Sequence, residues 1–265
     1  MGEERLGTGV AIESRRVLTA HYLVIGAERI EVVDSGGRTH TVRKVHLDHE
    51  TGLALLTLDG AELHGTTLGT GDEAVPGAPV FLVASTSERG RKGATGLITC
   101  VGPFETYWEY MLDQAILTTC VNPGLAGAPL FDLAGRMIGL VTLGLLAVGR
   151  ASVAVPIGLY WRHREELEGL APPRPARAWL GVYLQAVGDG TIVAGVVTDG
   201  PADQSGLQQG DLMLSVDHED TSSLRSAYVS IQKRSPGERL ELRVMRASTI
   251  LSLAVLAGSR AEFYA

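Results

Sequence analysis

Short apolar runs separated by turn residues recur through the first 158 residues, and this rhythm constrains the fold more than any other feature of the sequence. Apolar runs that return roughly every 8 to 12 residues between turn signals are typical of a β-sandwich or β-barrel. The 33 glycines of this 265-residue chain supply tight turns, because glycine adopts the backbone angles that such turns need. We therefore predict a mainly β fold, with strands in this part at residues 6–12, 16–20, 29–34, 38–47, 53–58, 79–84, 94–101, 111–120, 129–131, 136–143 and 152–156. A helix is predicted after them, at residues 157–170.

A proline-rich segment with the sequence APPRPAR, at residues 171–177, divides the chain. Such a segment is semi-rigid and packs as neither helix nor strand. Beyond it lie further strand patterns and two helical ones, and in the second helix Leu224, Tyr228 and Ile231 form one apolar stripe at i, i+4 and i+7. The predicted organisation is a first domain at residues 1–165, a linker at 166–176, a second domain at 177–258 and a tail at 259–265.

The charge pattern excludes one class of partner. The net charge is −7, and the sequence contains no run of lysine or arginine, which argues against a nucleic-acid partner. No apolar stretch reaches the roughly 18 residues that a membrane helix needs, so we expect no membrane span in this chain. The sequence begins without a signal peptide, and the compartment stays open.

Neither a cofactor nor a metal site is predicted. The seven histidines form no helical i, i+4 pair and no H-E-x-x-H pattern, and a site built from His46, Asp48 and His49 is the alternative. Two cysteines are too few for a disulfide framework. Cys100 and Cys120 are therefore interpreted as two buried thiols, with one disulfide between neighbouring strands as the alternative.

Four short segments of the first part resemble known motifs and occur in the same order as those motifs. Residues 7–10 have the sequence GTGV, residues 17–19 are VLT with Gly26-Ala27 after them, residues 48–56 are DHETGLALL and residues 122–130 are NPGLAGAPL. In this order they resemble the GSGV, ILTNNHVVDGA, DPETDLAVLK and NPGNSGGPL motifs of the HtrA/Deg family of trypsin-like serine proteases.

Two segments beyond the linker carry a second resemblance. Residues 179–182 are WLGV, and residues 200–211 contain GPA, SGL and GD, similar to the carboxylate-binding loop and the GSPA…AGL…GD pattern of a bacterial PDZ domain. Together the resemblances imply a chymotrypsin-like double antiparallel β-barrel, six strands each, followed by a PDZ domain, a small β-barrel or sandwich with two helices. They also imply an exported protein of the periplasm or cell envelope.

The family resemblance places its three catalytic positions on Tyr22, Gly52 and Ala126. A phenol titrates near pH ~10 and is a poor base at neutrality. Glycine cannot orient an imidazole, and alanine offers no hydroxyl nucleophile. The alternative base is His21, which fits the motif only with a deletion on one side and an insertion on the other.

The loop before Ala126 is expected to keep its backbone amides although the catalytic side chains are absent. Gly124 and Leu125 would form a vestigial oxyanion loop, whose amides bind a carbonyl or an anion. We therefore predict no catalytic residue, and an inactive homologue of a trypsin-like serine endopeptidase that is not an enzyme.

The PDZ resemblance implies a peptide-binding groove. Such a domain holds a C-terminal carboxylate on successive backbone amides and pairs the peptide as an added strand. The amides would come from Leu180, Gly181 and Val182. The groove would be lined by Leu184, Leu224, Tyr228 and Ile231. The alternative is that these apolar side chains are simply core.

Four aromatic residues lie within seven positions of the second strand set. They are Phe104, Tyr107, Trp108 and Tyr110. An exposed aromatic cluster often marks a binding surface, and packing onto its own barrel is the alternative.

The predicted function is a non-catalytic scaffold or regulator that binds protein or peptide C-termini through the PDZ domain. Self-association and association with a related active protease are further partners that the resemblance allows. The alternative function is a peptidase of this family, in protein quality control, with an unorthodox or residual active site.

Overall fold

The structure is a computed structural model that describes residues 4–145 and 150–264. The chain forms two compact units. The first contains the residues up to Pro103 together with Leu112–Pro173, and the second contains Phe104–Met111 together with the residues from Arg174 onward. The predicted domain boundaries place residues 104–111 in the first domain, whereas the structure groups them with the second unit.

The first unit begins with an antiparallel sheet. Its strands are β1 Val10–Glu13, β2 Arg16–Ala20, β3 Glu31–Val33, β4 Thr39–Asp48 and β5 Leu53–Leu58. The order in the sheet is β1-β2-β5-β4-β3. The central strands β2 and β5 are buried almost throughout, which agrees with their mostly apolar sequences. A 3-10 turn, His21–Leu23, follows β2 directly.

A closed barrel completes the first unit. Its strands are β6 Pro79–Ser85, β7 Arg91–Glu105, β8 Met111–Thr118, β9 Ala128–Asp132, β10 Met137–Leu145 and β11 Ala151–Pro156, in the closed order β10-β11-β8-β7-β6-β9. Its interior is filled by small and branched apolar side chains such as Leu82, Ile116, Leu130 and Ala154. The six-stranded antiparallel barrel that the resemblance implied is confirmed here, and the described part of the first half forms a sheet of five strands.

Two short helices follow the barrel, α1 Ile157–Arg162 and α2 Arg164–Leu167. A single helix predicted over residues 157–170 is wrong, because His163 leaves helical backbone angles at φ −112° and ψ 17°. Behind them the buried carboxylate of Glu168 accepts hydrogen bonds from Arg164 and Tyr160, and it lies 2.8 Å from the guanidinium of Arg16.

The second unit is a five-stranded sheet with a short sixth strand and three helices. The elements are β12 Val182–Val187, β13 Gly190–Val196, α3 Pro201–Gln204, β14 Leu212–Val216, β15 Glu219–Asp220, α4 Leu224–Gln232, β16 Arg239–Arg246, β17 Thr249–Leu256 and α5 Arg260–Phe263. The order is β12-β13-β14-β16-β17, with β15 paired to β14. Helix α4 is preceded by its N-cap residue Ser223, which forms a capping box with Ser226 and thereby satisfies amides at the start of the helix.

The predicted tail, residues 259–265, is ordered as far as the structure describes it. Helix α5 lies there, and the rings of Phe263 and Tyr264 pack against Trp179 at centroid distances of 4.8 and 5.8 Å. Ala265 lies outside the described residues, as do residues 1–3 of the predicted first domain.

Both cysteines are free thiols, so the alternative of a disulfide is wrong. Cys120 is buried as predicted, whereas Cys100 is exposed. Within residues 4–145 and 150–264, no group of three or more His, Cys, Asp or Glu residues is arranged to hold a metal ion. None of the helices described above has the length and apolar character to cross a membrane.

Candidate functional site

Tyr22 lies in the 3-10 turn after β2, and its hydroxyl donates a 2.7 Å hydrogen bond to the carbonyl oxygen of Thr142 in β10. The side chain therefore joins the first sheet to the barrel. Burial raises the pKa of Tyr22 to about 12. At neutral pH the phenol is protonated and acts as a hydrogen-bond donor, not as a base.

His21 occupies a different environment from its neighbour. It is buried, and its ring lies edge-on to that of His49 at a centroid distance of 5.7 Å. Its backbone amide donates to the carbonyl oxygen of Gly52 at 2.9 Å. The turn between β4 and β5, which carries Gly52, thus lies directly beside the 3-10 turn.

Gly52 closes that turn with φ +77°, a left-handed conformation that favours glycine. Its amide donates to the carbonyl oxygen of Asp48, and the Asp48 carboxylate accepts from the amides of Glu50 and Thr51. The carboxylate that the sequence motif offers nearby is therefore employed in shaping the turn.

Ala126 lies on a loop that is tied down by backbone bonds. Its carbonyl oxygen accepts from the amide of Thr8 at 2.7 Å, and the next amide, Gly127, donates to Val141, the neighbour of Thr142. The amides of Gly124 and Leu125 donate to the side chain of Asn122 and the carbonyl of Ser85. In this conformation, the two amides predicted for an oxyanion loop bind acceptors of the protein itself.

The loop before β12 in the second unit holds a carboxylate. The backbone amides of Leu180, Gly181 and Val182 donate to the side-chain oxygens of Glu109, at 3.0, 2.8 and 3.1 Å. Gly181 has φ +75°, and this left-handed step turns successive amides toward one point. Three converging amides form a concave site that favours an anion.

Glu109 is 5% exposed. Burial raises the pKa of its carboxyl, against the opposing effects of the Arg260 guanidinium and of the three amides. Arg260 also donates to the backbone oxygens of Trp108 and Glu109, at 3.2 and 2.8 Å. The carboxylate therefore lies in a site with one neighbouring positive charge and three aimed donors.

The residues just before Glu109 in the chain contact β12 and α4. The amide of Leu184 donates to the carbonyl of Tyr107 at 2.7 Å, and the hydroxyl of Tyr228 on α4 donates to the carbonyl of Thr106 at 2.9 Å. The predicted groove residues belong to the core of this unit. Leu180, Val182, Leu184, Tyr228 and Ile231 are buried, and Leu224 packs against them.

The aromatic cluster is neither a fully exposed surface nor packed onto its own barrel, the two alternatives predicted for it. Tyr110 is buried and Tyr107 is exposed, and the segment that carries them belongs to the second unit. Glu109 and Arg260 were missed by the sequence reasoning. The sequence feature that points to Glu109 is an acidic residue among four aromatic ones. The segment was assigned to the barrel, so this feature was not used.

Comparisons with known proteins agree with this architecture. Residues 7–140 match the family described as "Trypsin-like peptidase domain", and residues 178–256 match "PDZ domain". A protein of Halomonas elongata named "Probable periplasmic serine endoprotease DegP-like" is 29% identical over 97% of this chain and 57% of its own length. A protein of the same name from Chlamydia trachomatis is 26% identical over 94% of this chain and 53% of its own length.

Solved structures show the same likeness. "HtrA-type protease AlgW with decapeptide" has a TM-score of 0.59 and 28% identity, covering 96% of this chain and 83% of that chain. "Crystal structure of the serine endoprotease from Yersinia pestis" has a TM-score of 0.59 at 22% identity, covering 98% of this chain and 90% of that chain, and supports the fold alone.

These names contradict the prediction that the chain is not an enzyme. The prediction rested on three side chains, whereas similarity to proteins named serine endoproteases extends over 97% and 98% of the chain in two relatives. The chain spans about 57% of the length of those curated relatives.

Proposed function

We propose that this chain, which belongs to the HtrA/Deg family of trypsin-like serine proteases with a PDZ domain, binds peptides by a terminal carboxylate in the groove between β12 and α4. One observation carries the proposal. The amides of Leu180, Gly181 and Val182 together hold the carboxylate of Glu109, which supports the use of this loop as a carboxylate receptor.

The groove also suits an added strand. β12 stands at one end of the sheet order, and its Leu184 amide already donates to a backbone carbonyl that is not part of the sheet. A peptide that runs beside β12 would take that bond and place its last side chain toward the apolar residues of the unit. The solved relative whose name includes a decapeptide supports a peptide as the ligand.

The experiment compares two peptides with the same apolar C-terminal sequence, one with a free carboxylate and one amidated. Titration calorimetry on the full chain should give a dissociation constant on the order of micromolar for the free acid. The amidated peptide should bind far more weakly, because charge-assisted hydrogen bonds are roughly twice as strong as neutral ones. Equal binding of the two peptides contradicts the proposal.

Hydrolysis of peptide bonds, in protein quality control, is the second candidate function, and the names of the relatives favour it. Tyr22, Gly52 and Ala126 supply neither an imidazole base nor a hydroxyl nucleophile. Hydrolysis by this chain would therefore use other groups, and His21 is the imidazole next to these positions.

Casein incubated with the purified chain, with His21→Ala and with Cys120→Ala tests this function. Hydrolysis that survives further purification and falls in one of the variants supports it. Hydrolysis that further purification removes argues against it.

Protein C-termini are the partners proposed here. Self-association and association with a related active protease are the other two, and light scattering of the chain alone and mixed with such a protease tests both.

A further inference from the structure

The segment of residues 104–111 binds the groove in the manner of a peptide. Glu109 brings a carboxylate to the amides of Leu180, Gly181 and Val182, and Tyr107 brings a carbonyl to the amide of Leu184. These are the donors that a C-terminal peptide needs for its carboxylate and for its first strand bond.

Further contacts fix the segment in place. The Tyr228 hydroxyl donates to Thr106, and Arg260 donates to the carbonyls of Trp108 and Glu109. Within the segment, the amide of Thr106 donates to the carbonyl of Tyr110. The segment therefore forms a closed turn, and the side chain of Glu109 leaves that turn toward the three amides.

The docked position of Glu109 carries two costs. Its φ is +53°, in the left-handed region that a non-glycine residue adopts at a cost. Its carboxylate is also removed from water, which is unfavourable for a charge unless donors replace the lost hydration. The bonds to the loop supply that replacement, and both costs make the docked state one that a competitor can displace.

We infer that residues 104–111 are a tethered ligand of the groove, and that a peptide with a free C-terminal carboxylate binds only when it displaces the Glu109 side chain. This inference rests on the proposed function, that the groove receives terminal carboxylates. One amide cannot donate full-strength hydrogen bonds to both carboxylates, so the two occupants exclude each other. A tethered ligand acts at an effective concentration in the millimolar range. If Glu109 occupies the loop in about 99 of 100 molecules, the apparent dissociation constant of a competing peptide rises about 100-fold.

The test compares the full chain with Glu109→Gln and with a control, Glu62→Gln. Glu62 is an exposed residue of the first unit that lies outside residues 104–111. The probe is an acetylated peptide with an apolar C-terminus and a free carboxylate, with its amidated form as reference. We expect Glu109→Gln to bind the free acid at least 10-fold more tightly than the wild-type chain, and Glu62→Gln to match the wild type.

The outcomes separate the two proposals. If the wild type distinguishes free acid from amide but Glu109→Gln gains no affinity, the tethered-ligand inference fails and the proposed function stands. If neither form binds the wild type or Glu109→Gln, the proposed function fails and the inference with it.

A second measurement uses the wild-type chain and does not depend on how the variant folds. Chymotrypsin cleaves after aromatic residues, and Tyr107, Trp108 and Tyr110 offer it sites within the segment. Saturating free-acid peptide should increase cleavage within residues 104–111 several-fold, and the amidated peptide should not. Cleavage that the free acid leaves unchanged overturns the inference.

Discussion

The carboxylate of Asp211 and the guanidinium of Arg246 are joined by two hydrogen bonds of 2.7 Å each. Asp211 immediately precedes β14 and is completely buried, while Arg246 ends β16. The pair therefore joins the end of β16 to the turn that precedes β14. The amide of Gln208 also donates to this carboxylate.

Asp211→Asn should lower the free energy of unfolding by about 1–3 kcal/mol at neutral pH, because it replaces a charge-assisted pair and leaves the guanidinium without its counter-charge. Urea unfolding measures the change. Asp189→Asn, in the exposed turn between β12 and β13, is the control and should change stability little. Equal stability of the two variants would mean that the pair does not hold the sheet.

The same pair predicts an acid-sensitive stability. Arg246 first, and then the Gln208 amide, hold the pKa of Asp211 below its usual range, while burial opposes them. A lowered folded-state pKa stabilises the fold above the unfolded value of about 3.9, and this contribution is lost as pH falls through the folded pKa. The wild-type chain should therefore lose more stability than Asp211→Asn between neutral pH and about pH 3. Parallel pH profiles of the two proteins would contradict this.

Gly181→Ala should weaken both the fold and the carboxylate loop. A Cβ at this position would meet the Trp179 ring and the Val197 side chain at 3.1 Å, and φ is +75°. Gly188 is the matched control, since its φ is +57° and a Cβ added there would meet no atom of the described residues within 4 Å. Because both variants carry the strain of positive φ, the excess loss in Gly181→Ala, about 1 kcal/mol or more, measures crowding at the loop. Urea unfolding that shows no excess would indicate that the loop has room for a side chain.

Tyr22→Phe should lower stability by about 0.5–1 kcal/mol, because it removes the donor to the Thr142 carbonyl. The folded-state pKa of Tyr22 is about 12, above the unfolded value of about 10. Its contribution is therefore present below the unfolded value and is lost as pH rises through the folded one. Unfolding at pH 7 and near pH 11 should show a steeper alkaline loss in the wild type than in Tyr22→Phe. Tyr107→Phe removes a hydroxyl from a residue that is 55% exposed and should be as stable as the wild type at pH 7. A loss at pH 7 equal to that of Tyr22→Phe would refute the assignment.

Much of the fold could be predicted because local patterns determine it. The mostly apolar runs at residues 16–20 and 53–58 coincide with β2 and β5, and a strand that is buried on both faces favours apolar side chains along most of its length. The mainly β class and the PDZ unit are confirmed by the matches to the two domain families. The break at His163 was missed, because nothing in the periodicity of the flanking residues marks it.

The occupied groove could not be predicted from local patterns. Glu109 is separated from its three amide partners by 71 to 73 residues, and its segment was assigned to the barrel because strands flank it on both sides. The assignment of Leu180, Gly181 and Val182 as carboxylate receptors came from the WLGV resemblance. The identity of the carboxylate that fills the loop depends on tertiary structure, which a single sequence does not disclose.

The last prediction concerns the three positions that the family resemblance assigns to catalysis. The triple variant Tyr22→His, Gly52→Asp, Ala126→Ser introduces a base, an orienting carboxylate and a nucleophile at positions whose surroundings are connected by hydrogen bonds. His21 bonds to Gly52, Tyr22 contacts Thr142, and Gly127 bonds to Val141. We expect casein hydrolysis by the triple variant to exceed that of the wild type at least 10-fold, since a nucleophile and its base act as a unit.

The structure also limits that gain. Gly52 has φ +77°, which aspartate tolerates better than most residues but at a cost. The amides of Gly124 and Leu125 already serve Asn122 and Ser85, so the loop has to rearrange before they can stabilise an oxyanion. The control is the double variant Tyr22→His, Gly52→Asp, which keeps Ala126 and should not share the gain. If the double and triple variants hydrolyse casein at the same rate, residue 126 is not the nucleophile position and the assignment of these three residues is wrong.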